Sequence, residues 1–84
     1  MPELFAQPTT VLLTGATSGI GTQMLSQLIA SGHKVIAVSR TASALPAEDG
    51  LTRYDCDLAD PKAVEAMASA LLAKYPDVRI IINN

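Results

Sequence analysis

The residues with the clearest chemical potential lie in the run Thr14-Gly15-Ala16-Thr17-Ser18-Gly19-Ile20-Gly21. An apolar, β-favouring stretch precedes it and a stretch with helical spacing follows it. Such a strand-to-helix junction exposes backbone N–H groups and the positive end of a helix dipole, which together favour a phosphate. Three glycines would then have separate jobs. Gly15 permits a tight turn, Gly19 removes a Cβ from the path of a pyrophosphate, and Gly21 lets the helix approach the strand closely. The alternative is that they only make a tight strand-to-helix turn, because glycine patterns also arise by chance. A Walker-type phosphate loop is excluded: it needs Gly-Lys followed by Ser or Thr, and this region reads Gly-Ile-Gly-Thr.

A second signal lies at Ser39-Arg40. In dinucleotide-binding folds a carboxylate at the end of the second strand, about 20 residues beyond the glycines, bonds the ribose 2′-hydroxyl of NAD, whereas an Arg accommodates a 2′-phosphate. No acid stands here to repel a phosphate, and a guanidinium can hold one through charge-assisted, forked hydrogen bonds. NADP(H) is therefore favoured over NAD, with Thr41 and Ser43 as additional hydroxyl donors. The alternative for Arg40 is a solvated surface charge.

The elements that would position these residues can be read from pattern. Thr10–Thr14 predicts a first strand buried on both faces, stopping at Gly15. Ile20, Met24, Leu25, Leu28 and Ile29 predict one apolar helix face, ending at Ser31-Gly32 with Gly32 in the left-handed conformation. Lys34–Ser39 reads as a second strand. Turn residues fill Thr41 to Gly50, with room for one helical turn around Ala42–Leu45. Leu51–Asp55 predicts a short third strand. Asp60-Pro61 starts a helix, since Asp caps free N–H groups and Pro suits the first helical position. Its expected inward face is Val64, Met67, Ala68, Leu71 and Leu72, and Tyr75-Pro76 stops it after about Lys74. Val78–Ile82 predicts a fourth strand, followed by Asn83-Asn84. Strands alternating with helices through short connections imply an α/β, Rossmann-like, doubly wound parallel sheet, with about four strands in the order 3-2-1-4 and two main helices.

Composition narrows the function classes. The 84 residues, 8.8 kDa, leave room for one small domain. The formal charge of −2 and sequence pI near 5.0 supply no basic stripe for DNA or RNA. One cysteine, Cys56, forms no internal disulfide, and residues 1–10 do not read as a basic-then-apolar leader, so a reduced, cytoplasmic setting is expected. No apolar run reaches the roughly 18 residues of a membrane span.

The glycine run resembles the fingerprint of the short-chain dehydrogenases/reductases, Thr-Gly-x-x-x-Gly-x-Gly, and matches it completely. Two further family marks follow in order: Asp57-Leu58 after the third strand, and Asn83-Asn84, the first half of an Asn-Asn-Ala-Gly motif, after the fourth. The resemblance spans residues 10 to 84 and points to the ordinary short branch; extended, epimerase-like members carry a glycine at the place of Ser18. It implies a cofactor-binding set of Thr14, Gly15, Thr17, Ser18, Gly19, Ile20, Gly21, Ser39, Arg40, Asp57, Leu58, Asn83 and Asn84. Asp57 would contact adenine through its side chain with the Leu58 backbone beside it, and Asn83 would tie the fourth strand to its neighbours near the adenosine ribose. The alternatives are a turn residue for Asp57 and strand-end polar residues for the two asparagines.

The family transfers hydride between NADP(H) or NAD(H) and a carbonyl or alcohol substrate, using a Tyr, a Lys, a Ser and a further Asn that all lie beyond the fourth strand. Tyr54 lacks a Lys four residues on and Tyr75 precedes Pro76, so no catalytic residue is assigned here. The resemblance thus makes residues 1–84 the amino-terminal, cofactor-binding part of a single Rossmann domain, without its catalytic carboxyl-terminal part. A non-catalytic nucleotide-binding or interaction module, truncated or vestigial, stays open as the alternative. Ile80-Ile81-Ile82 on an open sheet edge is an association hazard and a route to a homo-oligomer. If 84 residues are the whole product, marginal stability and weak recognition of the adenosine-phosphate half of the cofactor are expected. Cys56, flanked by carboxylates that disfavour a thiolate, is expected to be inert, and His33 to be a surface turn residue with no partners for a metal. Met24 and Met67 are expected core fillers, and Glu48, Asp49 and the acids from Asp55 to Asp60 are expected to be solvated loop residues.

Overall fold

The computed structural model describes residues 8–84. Met1–Gln7, which include most of the stretch read above for a leader, lie outside the described residues. The elements run β1 (Thr10–Thr14), α1 (Gly19–Ala30), β2 (Lys34–Ser39), a 3-10 turn (Ala42–Ala44), β3 (Leu51–Asp55), α2 (Pro61–Lys74) and β4 (Val78–Asn83). The strands form one sheet in the order β3-β2-β1-β4, with every neighbouring pair parallel.

Strand periodicity divides the sheet's side chains between two helices. On one face Leu13, Val35 and Ala37 pack with Ala16 and Leu25 of the α1 side. On the other, Ile36 and Val38 pack with Cys56 and with Met67 and Leu71 of α2. Val11, Leu13, Val35, Ile36 and Val38 are the largest fully buried side chains, and each contributes about 1.5–3 kcal/mol by leaving water.

The helix ends follow local chemistry. Asp60 Oδ1 accepts from the amides of Lys62 (3.0 Å) and Ala63 (3.4 Å), with Pro61 at the first helical position. Gly32, at φ +87°, follows the Ser31 cap of α1 in a conformation that side chains rarely adopt.

Three readings need correction. Ile20 is 68% exposed, so the inward face of α1 starts at Gly21 and continues through Met24, Leu25, Leu28 and Ile29. Ala68 and Leu72 are not buried on α2 but line the apolar side that opens toward β4; Leu72 is 67% exposed, and the buried contacts are made by Met67 and Leu71 with Ala63 and Val64 beside them. His33 is buried rather than at the surface, and its Nδ1 accepts from the Thr9 amide at 3.1 Å, which ties the chain entering β1 to the turn before β2.

β4 is an edge of the described sheet. Ile80 is buried, but Ile81 is 70% exposed on the α2 side, in register with Leu12. An apolar groove of about 480 Å³ runs between α2 and β4, lined by Leu12, Leu58, Val64, Leu72 and Ile81 among others. Among the described residues no helix is long and apolar enough to cross a membrane.

Candidate functional site

All four strands are parallel, so the segments that leave their carboxyl ends share one edge of the sheet. That edge gathers the glycine run after β1, Ser39-Arg40 at the end of β2, Asp57-Leu58 after β3 and Asn83-Asn84 at the end of β4. β1 lies between β2 and β4, and α1 and α2 cover opposite faces, so the strand order reverses beside β1. A crevice at the carboxyl ends of strands, at such a reversal, is the usual ligand position of open α/β sheets.

The glycine loop is held by a closed set of hydrogen bonds. Gly15 takes φ +64°, and its amide donates to Val38 O at 3.1 Å. Its carbonyl accepts from the Ser18 amide (3.1 Å), Ser18 Oγ (2.9 Å) and Asn84 Nδ2 (3.1 Å). Ser18 Oγ also accepts from the Gly21 amide and from Asn84 Nδ2, both at 2.9 Å. A hydroxyl has one proton to give and two lone pairs to receive with, so that of Ser18 is saturated. Ser18 therefore shapes the loop as the cap of α1, and Asn84 pins the loop to the end of β4. Thr14 Oγ1 completes the junction by donating to Asn83 Oδ1 (2.9 Å) and accepting from the Asn84 amide (3.2 Å).

The glycines differ sharply in what a side chain would meet. A Cβ on Gly21 would collide with the Gly15 carbonyl oxygen and lie 2.9 Å from Asn84 Nδ2, so close packing of helix on loop excludes it. A Cβ on Gly19 would meet no protein atom within 4 Å, and Gly19 has no positive φ. The fold itself does not require glycine there. The first four amides of a helix lack intrahelical acceptors. In α1 those of Ser18 and Gly21 are satisfied by the loop, while those of Gly19 and Ile20 have no acceptor among the described residues. Thr17 and Ile20 are exposed beside them. Two open amides, a helix N-terminus and an unfilled space over Gly19 match the needs of a phosphate group.

Arg40 is exposed at the end of β2 and makes no hydrogen bond or ion pair among the described residues. Ser39 is buried; its Oγ accepts from the Thr41 amide at 3.2 Å, which leaves its proton for another acceptor. Ser43 is not a spare donor: its hydroxyl gives its proton to Asp55 Oδ2 at 2.7 Å and its amide donates to Asp55 Oδ1 at 2.8 Å. Those bonds, the side-chain one foremost, hold the Asp55 carboxyl below the usual range, with Arg53 assisting. Asp55 is thus a structural acceptor rather than a solvated loop acid.

Asp57 is exposed and its Oδ1 accepts from the Ala59 amide at 3.0 Å, a turn that presents Leu58 at 44% exposure. Burial, with Asp57 and Asp60 adding, pushes the Cys56 thiol up. Sequence reasoning missed the Asp55, Ser43 and Arg53 contacts. Asp55 lies beside Ser39 in the register of β2 with β3, a pairing between distant positions that no local pattern announces.

The model of the family described as short chain dehydrogenase matches residues 9–84. The NADP-dependent 3-hydroxy acid dehydrogenase YdfG of Salmonella typhi is 36% identical over 80 residues, covering 88% of this chain and 32% of its own length. A short-chain dehydrogenase from Streptomyces avermitilis superposes with a TM-score of 0.79 at 28% identity, over 93% of this chain and 31% of that one. The 3-ketoacyl-(acyl-carrier-protein) reductase from Brucella melitensis, complexed with NADH, gives 0.74 at 29% identity, over 87% of this chain and 32% of that one. The chain spans about a third of the length of the curated relatives it matches. With the parallel sheet, the capped glycine loop and a family match over nearly all of its residues, the chain belongs to the short chain dehydrogenase family.

Proposed function

We propose that this chain is the NADP(H)-binding, amino-terminal portion of a short-chain oxidoreductase, and that residues 1–84 form part of a single Rossmann domain. The observation that carries the reading is the space over Gly19, bordered by the amides of Gly19 and Ile20, at the same sheet edge as Arg40, all three without a partner among the described residues. The pyrophosphate would lie on those amides, with Ile20 as an apolar neighbour and Thr14, Gly15, Thr17, Ser18 and Gly21 setting the loop. Arg40 and the Ser39 hydroxyl would receive the 2′-phosphate, Asp57 and Leu58 the adenine, and Asn83 and Asn84 would hold the crevice open from β4.

The cofactor, when bound, supplies or accepts hydride for a carbonyl or alcohol substrate in the complete protein. The residues of this chain bind and orient it. Tyr54 has no Lys four residues on and Tyr75 precedes Pro76, so we assign the reaction chemistry outside residues 1–84. The NADP dependence of the Salmonella relative supports the choice of cofactor, and the NADH bound to the Brucella reductase marks NAD(H) as its competitor. The exposed Ile81 and Leu72 beside the open β4 edge support self-association of the chain.

The test is titration of the wild-type chain and of Arg40→Asp with NADP+ and NAD+. The expected result is a wild-type preference for NADP+ and a loss of NADP+ affinity in the variant of about tenfold or more, with little change for NAD+. Equal loss of both cofactors would refute the assignment of Arg40.

A further inference from the structure

Arg40 stands at the start of a short segment whose own backbone bonds close only one turn. β2 ends at Ser39, and the chain then makes a single 3-10 turn closed by Ala44 N to Thr41 O (2.9 Å) and Leu45 N to Ala42 O (3.0 Å). Isolated 3-10 turns have poor hydrogen-bond geometry, and exposed segments of this kind occupy the low-stability end of a fold. Left to itself, the turn would let the guanidinium sample many positions. A forked contact to a phosphate gains from a fixed backbone at its base.

β3 supplies that fixation. Asp55 accepts both the amide and the hydroxyl of Ser43, at 2.8 and 2.7 Å. Arg53 Nη1 donates to Ser43 O at 3.1 Å and to Leu45 O at 2.7 Å. Every polar group of Ser43, main chain and side chain, is thereby bonded to β3. The register places Asp55 beside Ser39 and Arg53 beside Ala37, so the clasp grips the turn from the strand next to the one that delivers Arg40. Ala42, fully buried, anchors the turn's other side.

We infer that the Asp55–Ser43–Arg53 clasp is a positioning device for cofactor choice: it holds the Ala42–Ala44 turn so that the Ser39–Thr41 corner presents Arg40 to the 2′-phosphate. The inference rests on the NADP(H) reading above. Asp55 is a positioning residue, acting through the turn and touching no ligand. A second role for its charge would have the opposite sign, because a carboxylate at this edge that acted directly would repel a 2′-phosphate.

The experiment measures dissociation constants of the full 84-residue chain for adenosine 2′,5′-bisphosphate and adenosine 5′-monophosphate, in wild type, Asp55→Ala, Asp55→Asn and Ser43→Ala. Wild type should prefer the bisphosphate. Asp55→Ala should lower that preference by about tenfold while changing monophosphate affinity less than about twofold, the loss of charge-assisted bonds being felt only where Arg40 is used. Asp55→Asn, which keeps an acceptor for the Ser43 amide, should recover part of the preference. Ser43→Ala, at an exposed position that retains its amide bond, should lose a smaller part and covers the case in which Asp55→Ala does not fold. Equal weakening of both ligands, an unchanged preference or a raised preference in the Asp55 and Ser43 variants would each overturn the inference. A wild-type chain that binds both ligands alike would overturn the NADP(H) reading itself, and the clasp's role with it.

Discussion

Replacing Gly19 and Gly21 separately by alanine should give opposite phenotypes, although the two glycines are two residues apart in one turn of helix. At Gly21 the added Cβ would collide with the Gly15 carbonyl oxygen and lie 2.9 Å from both the Gly15 carbonyl carbon and Asn84 Nδ2. That carbonyl cannot swing aside without loosening its three bonds from Ser18 and Asn84. Overpacking typically costs about 1–3 kcal/mol, and a fixed backbone atom places Gly21→Ala near the top of that range. At Gly19 the Cβ would meet nothing within 4 Å and the backbone needs no positive φ. Alanine there reduces the freedom of the unfolded chain and favours helix, a gain of about 0.4–1 kcal/mol. The two variants should therefore differ by about 3–4 kcal/mol in urea unfolding followed by circular dichroism. Calorimetric titration with NADP+ should show the reverse for function, with Gly19→Ala losing about tenfold or more in affinity because the methyl group occupies the phosphate's place. Full NADP+ affinity in Gly19→Ala would refute the reasoning, leaving these glycines as a tight turn only. Unchanged stability in Gly21→Ala would refute the packing argument.

Ser18→Ala removes the cap of α1 and the acceptor for one Asn84 Nδ2 hydrogen, and should lower unfolding stability by about 1–2 kcal/mol. The Asp55 carboxyl is held below its ordinary value by the Ser43 hydroxyl first and the Ser43 amide second, so it contributes stability above the ordinary carboxylate pKa and loses it as pH falls through the lowered one. The wild-type urea midpoint should accordingly fall below about pH 4 more than that of Asp55→Asn does; parallel curves would contradict this. Ile81→Lys places a charge on the exposed side of the β4 edge, and should shift the chain toward monomer in sedimentation experiments at fixed concentration. An unchanged distribution would place any self-association elsewhere.

What the sequence made legible was local chemistry. Asp60-Pro61 and Gly32 mark helix ends by capping and by backbone conformation, and the structure places the elements within a residue of the expected bounds. The glycine run is legible because its function depends on consecutive positions. Helix faces were less so: the apolar spacing of α1 extends to Ile20 and that of α2 to Leu72, yet both side chains stay exposed, because spacing describes a stripe and not the width of the surface it meets. His33 is polar and looked like a turn residue, but it is buried and its ring accepts from the amide of Thr9, a neighbour distant in sequence. The clasp on Ser43 arises the same way, from the register of β2 and β3, and a hydroxyl that seemed available to a phosphate is already committed. Asn84 was legible as part of a motif, while its bonds to Gly15 and Ser18 became visible only once β4 lay beside β1.

The most direct test of the central claim is to follow the backbone amides and arginine side chains of the 84-residue chain by nuclear magnetic resonance while adding NADP+ and, separately, NAD+. The account predicts that the Gly19 and Ile20 amides shift with both cofactors, that the Arg40 guanidinium responds to NADP+ alone, and that NADP+ saturates at the lower concentration. Shifts confined to other parts of the sheet, or an Arg40 signal indifferent to NADP+, would contradict it.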